Sequence, residues 1–153
     1  MRGVYETSFK ISALAATKTL LLLTVPANKV VELYSSSVTD ASNATNQQLE
    51  AEFQKVSAVG PAAGTPLTPG KKEQGDQAAA STLLGNLTTE PTSYAANTGE
   101  GYRGFPSLSG WEYLPQAEER LWLSGGDTWG LRLLTPTFAA QDTIVRLCFR
   151  EVG

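Results

Sequence analysis

A chain of 153 residues is long enough to bury a core as one domain, 1–153, without disulfide staples. With 12 Lys and Arg against 15 Asp and Glu, a net charge of −3, it offers no basic face for nucleic acid and no basic segment for a membrane surface. It has no histidine and a single cysteine, Cys148, which removes Ser-His-Asp and Cys-His nucleophile sets, His-containing zinc sites, thiolate clusters and any intrachain disulfide, and fits a reducing compartment.

At the front, "VYETSFKIS" alternates Tyr5, Thr7, Phe9 and Ile11 with Glu6, Ser8, Lys10 and Ser12, the period of a half-buried strand. Glu6 and Lys10 interrupt what a signal peptide needs, so the mature chain is expected to start at the N-terminus shown. The run in "TKTLLLLTVPA" falls far short of the roughly 20 residues of a membrane helix and reads as a buried strand stopped by Pro26. "NKVVELYSSSV" is rich in β-branched and aromatic residues, and "TDASNATNQ" follows as a polar turn region. "QLEAEFQKVS", 48–57, carries two periods: Leu49, Phe53 and Val56 fit a helix face, while Leu49, Ala51 and Phe53 alternate as in a strand. Strand is favoured because its neighbours are strands.

Residues 58–77, with three prolines and four glycines, predict a long loop and a candidate contact surface. A short strand follows at 81–89, ended by Pro91, and a second irregular region, "SYAANTGEGYRGFP", runs to Pro106. From 108 onward "LSGWEYLP", "ERLWLSGG", "TWGLRLLTP" and "DTIVRLCFREV" are short strands between Gly and Pro signals. The pattern predicts an all-β sandwich, jelly-roll-like, of about eight strands with two long loops. Within it "SGGD", 124–127, is expected to close a hairpin. Trp129, Leu131 and Leu133 then face the core, while Leu121 and Leu123 share a face and leave Trp122 for a subunit contact or a place under a loop.

Several motifs carry less than their letters promise. "GEGYRG", 99–104, matches a dinucleotide fingerprint but has neither the strand before it nor the helix after it, so its glycines are assigned to an irregular loop around Tyr102 and Phe105. In "GTPLTPGKK" five residues separate Gly64 from Gly70 where a phosphate loop needs four, and Lys72 stands where Ser or Thr should be. Lys71 and Lys72 read as a solvated loop tip, with partner contact as the alternative. Glu50 with Glu52 and Glu118 with Glu119 sit too close along the chain to face each other across a hydrolytic cleft. Asp40, Asp76, Asp127 and Asp142 lack calcium-loop spacing, so no metal and no cofactor is assigned. "NAT" at Asn43 and "NLT" at Asn86 are formal glycosylation sequons that matter only in a secreted eukaryotic protein. Cys148 is expected to be a semi-buried structural thiol on the face of Arg146 and Arg150, two cations available for subunit or partner ion pairs.

The order of segments resembles the head decoration, or cement, proteins of tailed bacteriophages and prophages. The resemblance lies in "SFKISALAATKTLLLLTVPANKVVELYSSSVT", "NLTTEPT", "GWEYLPQAEERLWLSGGDTWGLRLLTP" and the terminal "VRLCFREVG". It implies a non-enzymatic β-sandwich made in the bacterial host cytoplasm and carried on the virion. There it sits on the outer capsid surface, commonly as a homotrimer at three-fold positions, and strengthens joints between major capsid proteins. Tyr102, Tyr113 and Trp122, in or beside loops, are the expected subunit or capsid contacts, with Lys71, Lys72, Arg146 and Arg150 as further candidates. The rival class is a carbohydrate-binding β-sandwich, which needs Trp111, Trp122 or Trp129 on one exposed platform.

Overall fold

The β-branched, aromatic and alternating runs fold as strands almost throughout a computed structural model that describes residues 3–42 and 45–153. In chain order they are β1 (Gly3–Thr24), β2 (Val30–Asp40), β3 (Gln48–Ala58), β4 (Ala63–Leu67), β5 (Gly70–Lys71), β6 (Thr82–Thr89), β7 (Ser93–Tyr94), β8 (Glu100–Pro106), β9 (Trp111–Tyr113), β10 (Trp122–Leu123) and β11 (Thr128–Val152). The helical content of the described residues is one 3-10 turn at Ala117–Glu119. The fold is therefore all-β. Eight of the strands have three or more residues, and β5, β7 and β10 have two.

The spine is the antiparallel pair of β1 and β11, in register from Gly3 opposite Glu151 to Thr24 opposite Thr128. Strands of 22 and 25 residues cannot stay flat at that length, and this pair does not. Its register shifts four times between Ile11 and Leu21, and each irregularity bends and twists the ribbon. Ala13, at φ +52°, lies in that bend, where its amide donates to Asp142 Oδ1 at 3.1 Å. Beyond the bend the neighbours change. The half near the termini takes β2 on β11 and β5 on β1, while the other half takes β3 on β11 and β6 on β1.

Alternation along every strand turns one side of each half inward. Tyr5, Leu33, Leu147 and Phe149 from the first half join Leu23, Phe53, Trp129 and Leu131 from the second in one buried cluster, so the bent sheet closes on itself as a sandwich. Phe53 stacks on Trp129 at 5.8 Å between centroids, and Tyr5 meets Phe149 at 5.5 Å. On the outer side of the second half Leu22, Val56 and Leu87 make a small separate cluster against Ala62, Leu84 and Tyr94.

The strand expected at 48–57 forms, with Leu49, Ala51 and Phe53 buried. The two segments expected to be long loops do not stay loops. Residues 58–77 contain β4, which pairs with β6, and β5, which pairs with β1; residues 91–106 contain β7 and β8, both on β3. Pro66 hides β4 in the sequence, yet β4 is the last strand on its side of the sheet, where a missing amide costs no ladder bond. The runs at the front and at 17–25 are one bent strand, as are those at 128–134 and 142–152.

The hairpin expected around "SGGD" is also corrected. The turn exists, with the Asp127 amide donating to the Ser124 carbonyl at 3.0 Å and Gly126 at φ +88°. Its arms part company: β10 pairs with β2, while β11 departs along β1 and β3. Val25, which exchanges backbone bonds with Gly126 and Asp127, draws the second arm away.

Phe53 is fully buried and stacks on Trp129 in the second half of the sandwich. Phe53→Ala should lower the unfolding free energy by about 3–5 kcal/mol, read from the shift of the urea midpoint.

Candidate binding surface

β9 and β10 lie end to end along the free edge of β2, with Trp111–Tyr113 opposite Val38–Ser36 and Trp122–Leu123 opposite Glu32–Val31. Strand alternation turns Trp111 and Leu123 into the core and Glu112 and Trp122 out of it. Trp111 is buried, its indole N–H donates to the Gly101 carbonyl at 2.8 Å, and its ring stacks on Tyr113 at 6.4 Å. Gly101 makes this stack possible. It adopts φ +64°, and a Cβ there would stand 2.8 Å from Tyr113 Cδ2 and 3.1 Å from Trp111 Cζ2.

Between β8 and β9 opens a cleft of about 580 Å³, whose walls include Glu100, Tyr102, Arg103, Tyr113, Leu114 and Glu119. Tyr102 is 59% exposed, whereas Tyr113 is half-buried. Burial, and after it the charge of Glu100, pushes the Tyr113 phenol up; Glu119 adds to this and the Leu121 amide opposes it. The Arg103 guanidinium donates to the Glu112 backbone carbonyl at 2.6 Å.

The outer face of the first half of the sandwich, next to this cleft, is ordered by two carboxylates that each take two cations. Glu6 accepts from Arg146 Nε at 2.7 Å and also pairs with Lys72, and Glu32 takes Arg120 at 3.0 Å and Arg150. The Arg120 guanidinium lies 4.3 Å above the Tyr34 ring, while that of Arg150 lies 5.9 Å from the Trp122 ring. Cys148 stands opposite Glu6 in the ladder and is buried, its thiol pushed up by burial and then by the Glu6 charge. The sequence led us to expect a semi-buried thiol, and Cys148 is free and buried.

The seven residues singled out in the sequence thus fall on two adjoining surfaces. Tyr102 and Tyr113 share the cleft. Trp122 and Arg150 meet beside Glu32, Lys72 and Arg146 share Glu6, and Lys71 lies exposed in β5 opposite Tyr5. Arg146 and Arg150 already have partners within the chain. Glu6, Glu32, Gly101 and Arg120 were not foreseen as part of the surface. For Glu6 and Glu32 the sequence signal is a carboxylate at an outward strand position, in "VYETSF" and "VVELYS"; Gly101 stands in "GEGYRG", whose glycines were assigned to an irregular loop. Asn86, in the second sequon, is half-buried at φ +48° and accepts from Lys18 Nζ at 2.6 Å. Asn43, in the first, lies outside the described residues.

Trp111 and Trp129 are 1% and 6% exposed against 51% for Trp122, so the three tryptophans form no common platform. Among the described residues no three His, Cys, Asp or Glu side chains come together as a metal site, and no helix is long and apolar enough to cross a membrane. No family model matches the sequence, and no curated protein matches it either.

Gly101→Ala forces an L-residue into left-handed backbone against two rings, and should cost about 1–3 kcal/mol of stability with loss of the Trp111 near-ultraviolet dichroism. A pH dependence follows from Glu6, whose carboxyl is held below its ordinary range by Arg146 and then Lys72. A carboxyl with a lowered folded value stabilises the fold above its unfolded value, and this contribution is lost as pH falls through the folded value. Denaturation midpoints should therefore decline on acidification below about pH 5, and Glu6→Gln should flatten that slope. Because Arg146 and Lys72 are about half exposed, the effect at neutral pH should be about 1 kcal/mol or less.

Proposed function

We propose that this protein is a non-enzymatic virion component, a decoration or cement protein that binds the outer surface of a tailed-phage head and ties neighbouring major capsid proteins together. The supporting observation is where its exposed apolar side chains stand. Of the seven large hydrophobic residues exposed among the described ones, four, Tyr102, Leu108, Leu114 and Trp122, lie in the segment from β8 to β10. Apolar groups concentrated on one flank mark a surface that another macromolecule covers. Tyr102 and Trp122 are carried on short strands hydrogen-bonded to β3 and β2, and Leu108 and Leu114 on the connections on either side of β9, so little ordering entropy is lost at the two aromatics when a partner closes over them.

A homotrimer at three-fold positions suits this arrangement, because several modest contacts on one rigid body add up to lasting attachment. The carbohydrate-binding reading draws less support: it relies on an exposed tryptophan platform, and two of the three tryptophans belong to the core.

Light scattering on a size-exclusion column should give three times the 16.3 kDa chain mass, and the purified protein should saturate undecorated heads built from the major capsid protein of the encoding genome. Trp122→Ala should leave the unfolding midpoint nearly unchanged and weaken head occupancy about tenfold or more. A parent protein that fails to bind such heads at micromolar concentration would overturn the reading.

A further inference from the structure

β8 and β9 follow one another in the chain, joined only by residues 107–110, where the Ser109 and Gly110 amides donate to the Pro106 carbonyl at 3.0 and 3.1 Å. Strands joined by so short a connection ordinarily pair as a hairpin. These two do not pair with each other: β8 lies on β3 and β9 on β2. From Ala51 to Phe53 the partner strand advances two residues while β8 advances three, from Arg103 to Glu100, a bulge that turns β8 aside. The cleft of about 580 Å³ opens between the two strands where their ladder would run. Two backbone carbonyls face across it. The Glu112 carbonyl of β9 accepts from Arg103 Nη2 of β8 at 2.6 Å, and the Gly101 carbonyl of β8 accepts from the Trp111 indole of β9 at 2.8 Å. Each is held by a side chain of the opposite strand, in the place where a neighbouring strand offers a backbone amide. Tyr113, stacked on the buried Trp111, lines the cleft, and Tyr102 of β8 and Leu114, directly after β9, stand exposed beside it.

We propose that this cleft is a strand-addition site, in which an extended segment of the partner protein enters between β8 and β9 and continues the sheet across the seam. The proposal rests on the reading that the β8–β10 flank docks on a protein surface, and names how that contact is made. An extended chain is the occupant these edges select, because its amides and carbonyls point to either side in alternation, toward β8 on one and β9 on the other. An amide of the entering strand takes the Glu112 carbonyl and releases the Arg103 guanidinium to solvent, while the Trp111 bond belongs to the core and stays. Alternate side chains of the segment then fall on the Tyr113 ring, which favours an apolar residue there. The Gly101 backbone, packed against the rings of Trp111 and Tyr113, fixes the position of β8 before the partner arrives.

The test titrates the ¹⁵N-labelled protein with capped decapeptides tiling the major capsid protein of the encoding genome. At least one should shift the Trp111 indole N–H and the amides of 100–103 and 112–114 at or below about 1 mM. The same peptide, N-methylated at its central residues with every side chain kept, should bind about tenfold more weakly, because each methyl removes a donor to β8 or β9. On decorated heads, hydrogen exchange of the backbone in 100–104 and 111–115 should slow about tenfold or more. N-methylated peptides that bind as tightly as their parents overturn the added strand. Unchanged exchange at the seam on decorated heads, or no shift with any peptide, refutes the inference and leaves the decoration role. A protein that takes a peptide into the seam, with the N-methyl loss, and ignores heads refutes the role alone; one that does neither overturns both.

Discussion

The antiparallel pairing of β1 with β11 is the constraint from which the other features follow. It joins the two ends of the chain, Gly3 to Glu151, and runs to Thr24 opposite Thr128, so almost every other strand is placed by which half of the pair it meets. A ribbon of that length must bend to close a core, and the register shifts between Ile11 and Leu21 put the bend where "ISALAAT" meets "TPTFAAQ". Neither stretch contains a charged residue, and the small side chains let the two backbones kink without a clash. The cost is a fold rich in long-range contacts, in which the N-terminal strand cannot be completed before the C-terminal one arrives.

The candidate surface inherits its geometry from that spine. Register along β1 and β11 places Glu6 opposite Cys148 and within reach of Arg146, and register along β2 places Glu32 opposite Arg150. Opposite charges on adjacent strands of one outward face pair there and tie β1, β2 and β11 together beside the β8–β10 flank. That flank is built on the free edge of β2, where β9 and β10 cover two short stretches and blunt an edge that would otherwise invite strand addition. Covering the edge with such short pieces also brings Tyr113 against the Gly101 backbone and shapes the cleft.

Much of the fold was legible in local pattern. Period-2 alternation in "VYETSFKIS" and "TWGLRLL" placed Tyr5, Ile11, Trp129 and Leu131 in the core, and the same rule put Trp122 outside. Loop signals misled where strands were edges. Gly and Pro weaken a strand's own preference, but β4 and β8 are held by ladders to β6 and β3, and no local window reports a partner that lies elsewhere in the chain. The turn at Ser124–Asp127 shows the same limit, since its hydrogen bond follows from its glycines while the divergence of its arms follows from Val25.

Of the surface, the exposed aromatics were readable and their grouping was not. Tyr102 and Tyr113 stand eleven positions apart and Trp122 lies nine further on, and only the pairing of β8 with β3 and of β9 and β10 with β2 makes them neighbours. Composition and local alternation determined an all-β protein without histidine or an intrachain disulfide, because those properties depend on which residues are present and on their immediate neighbours. Tertiary structure alone decided that Glu6 pairs with Arg146 and Glu32 with Arg150, because the partner of a charge is set by strand register across more than a hundred residues.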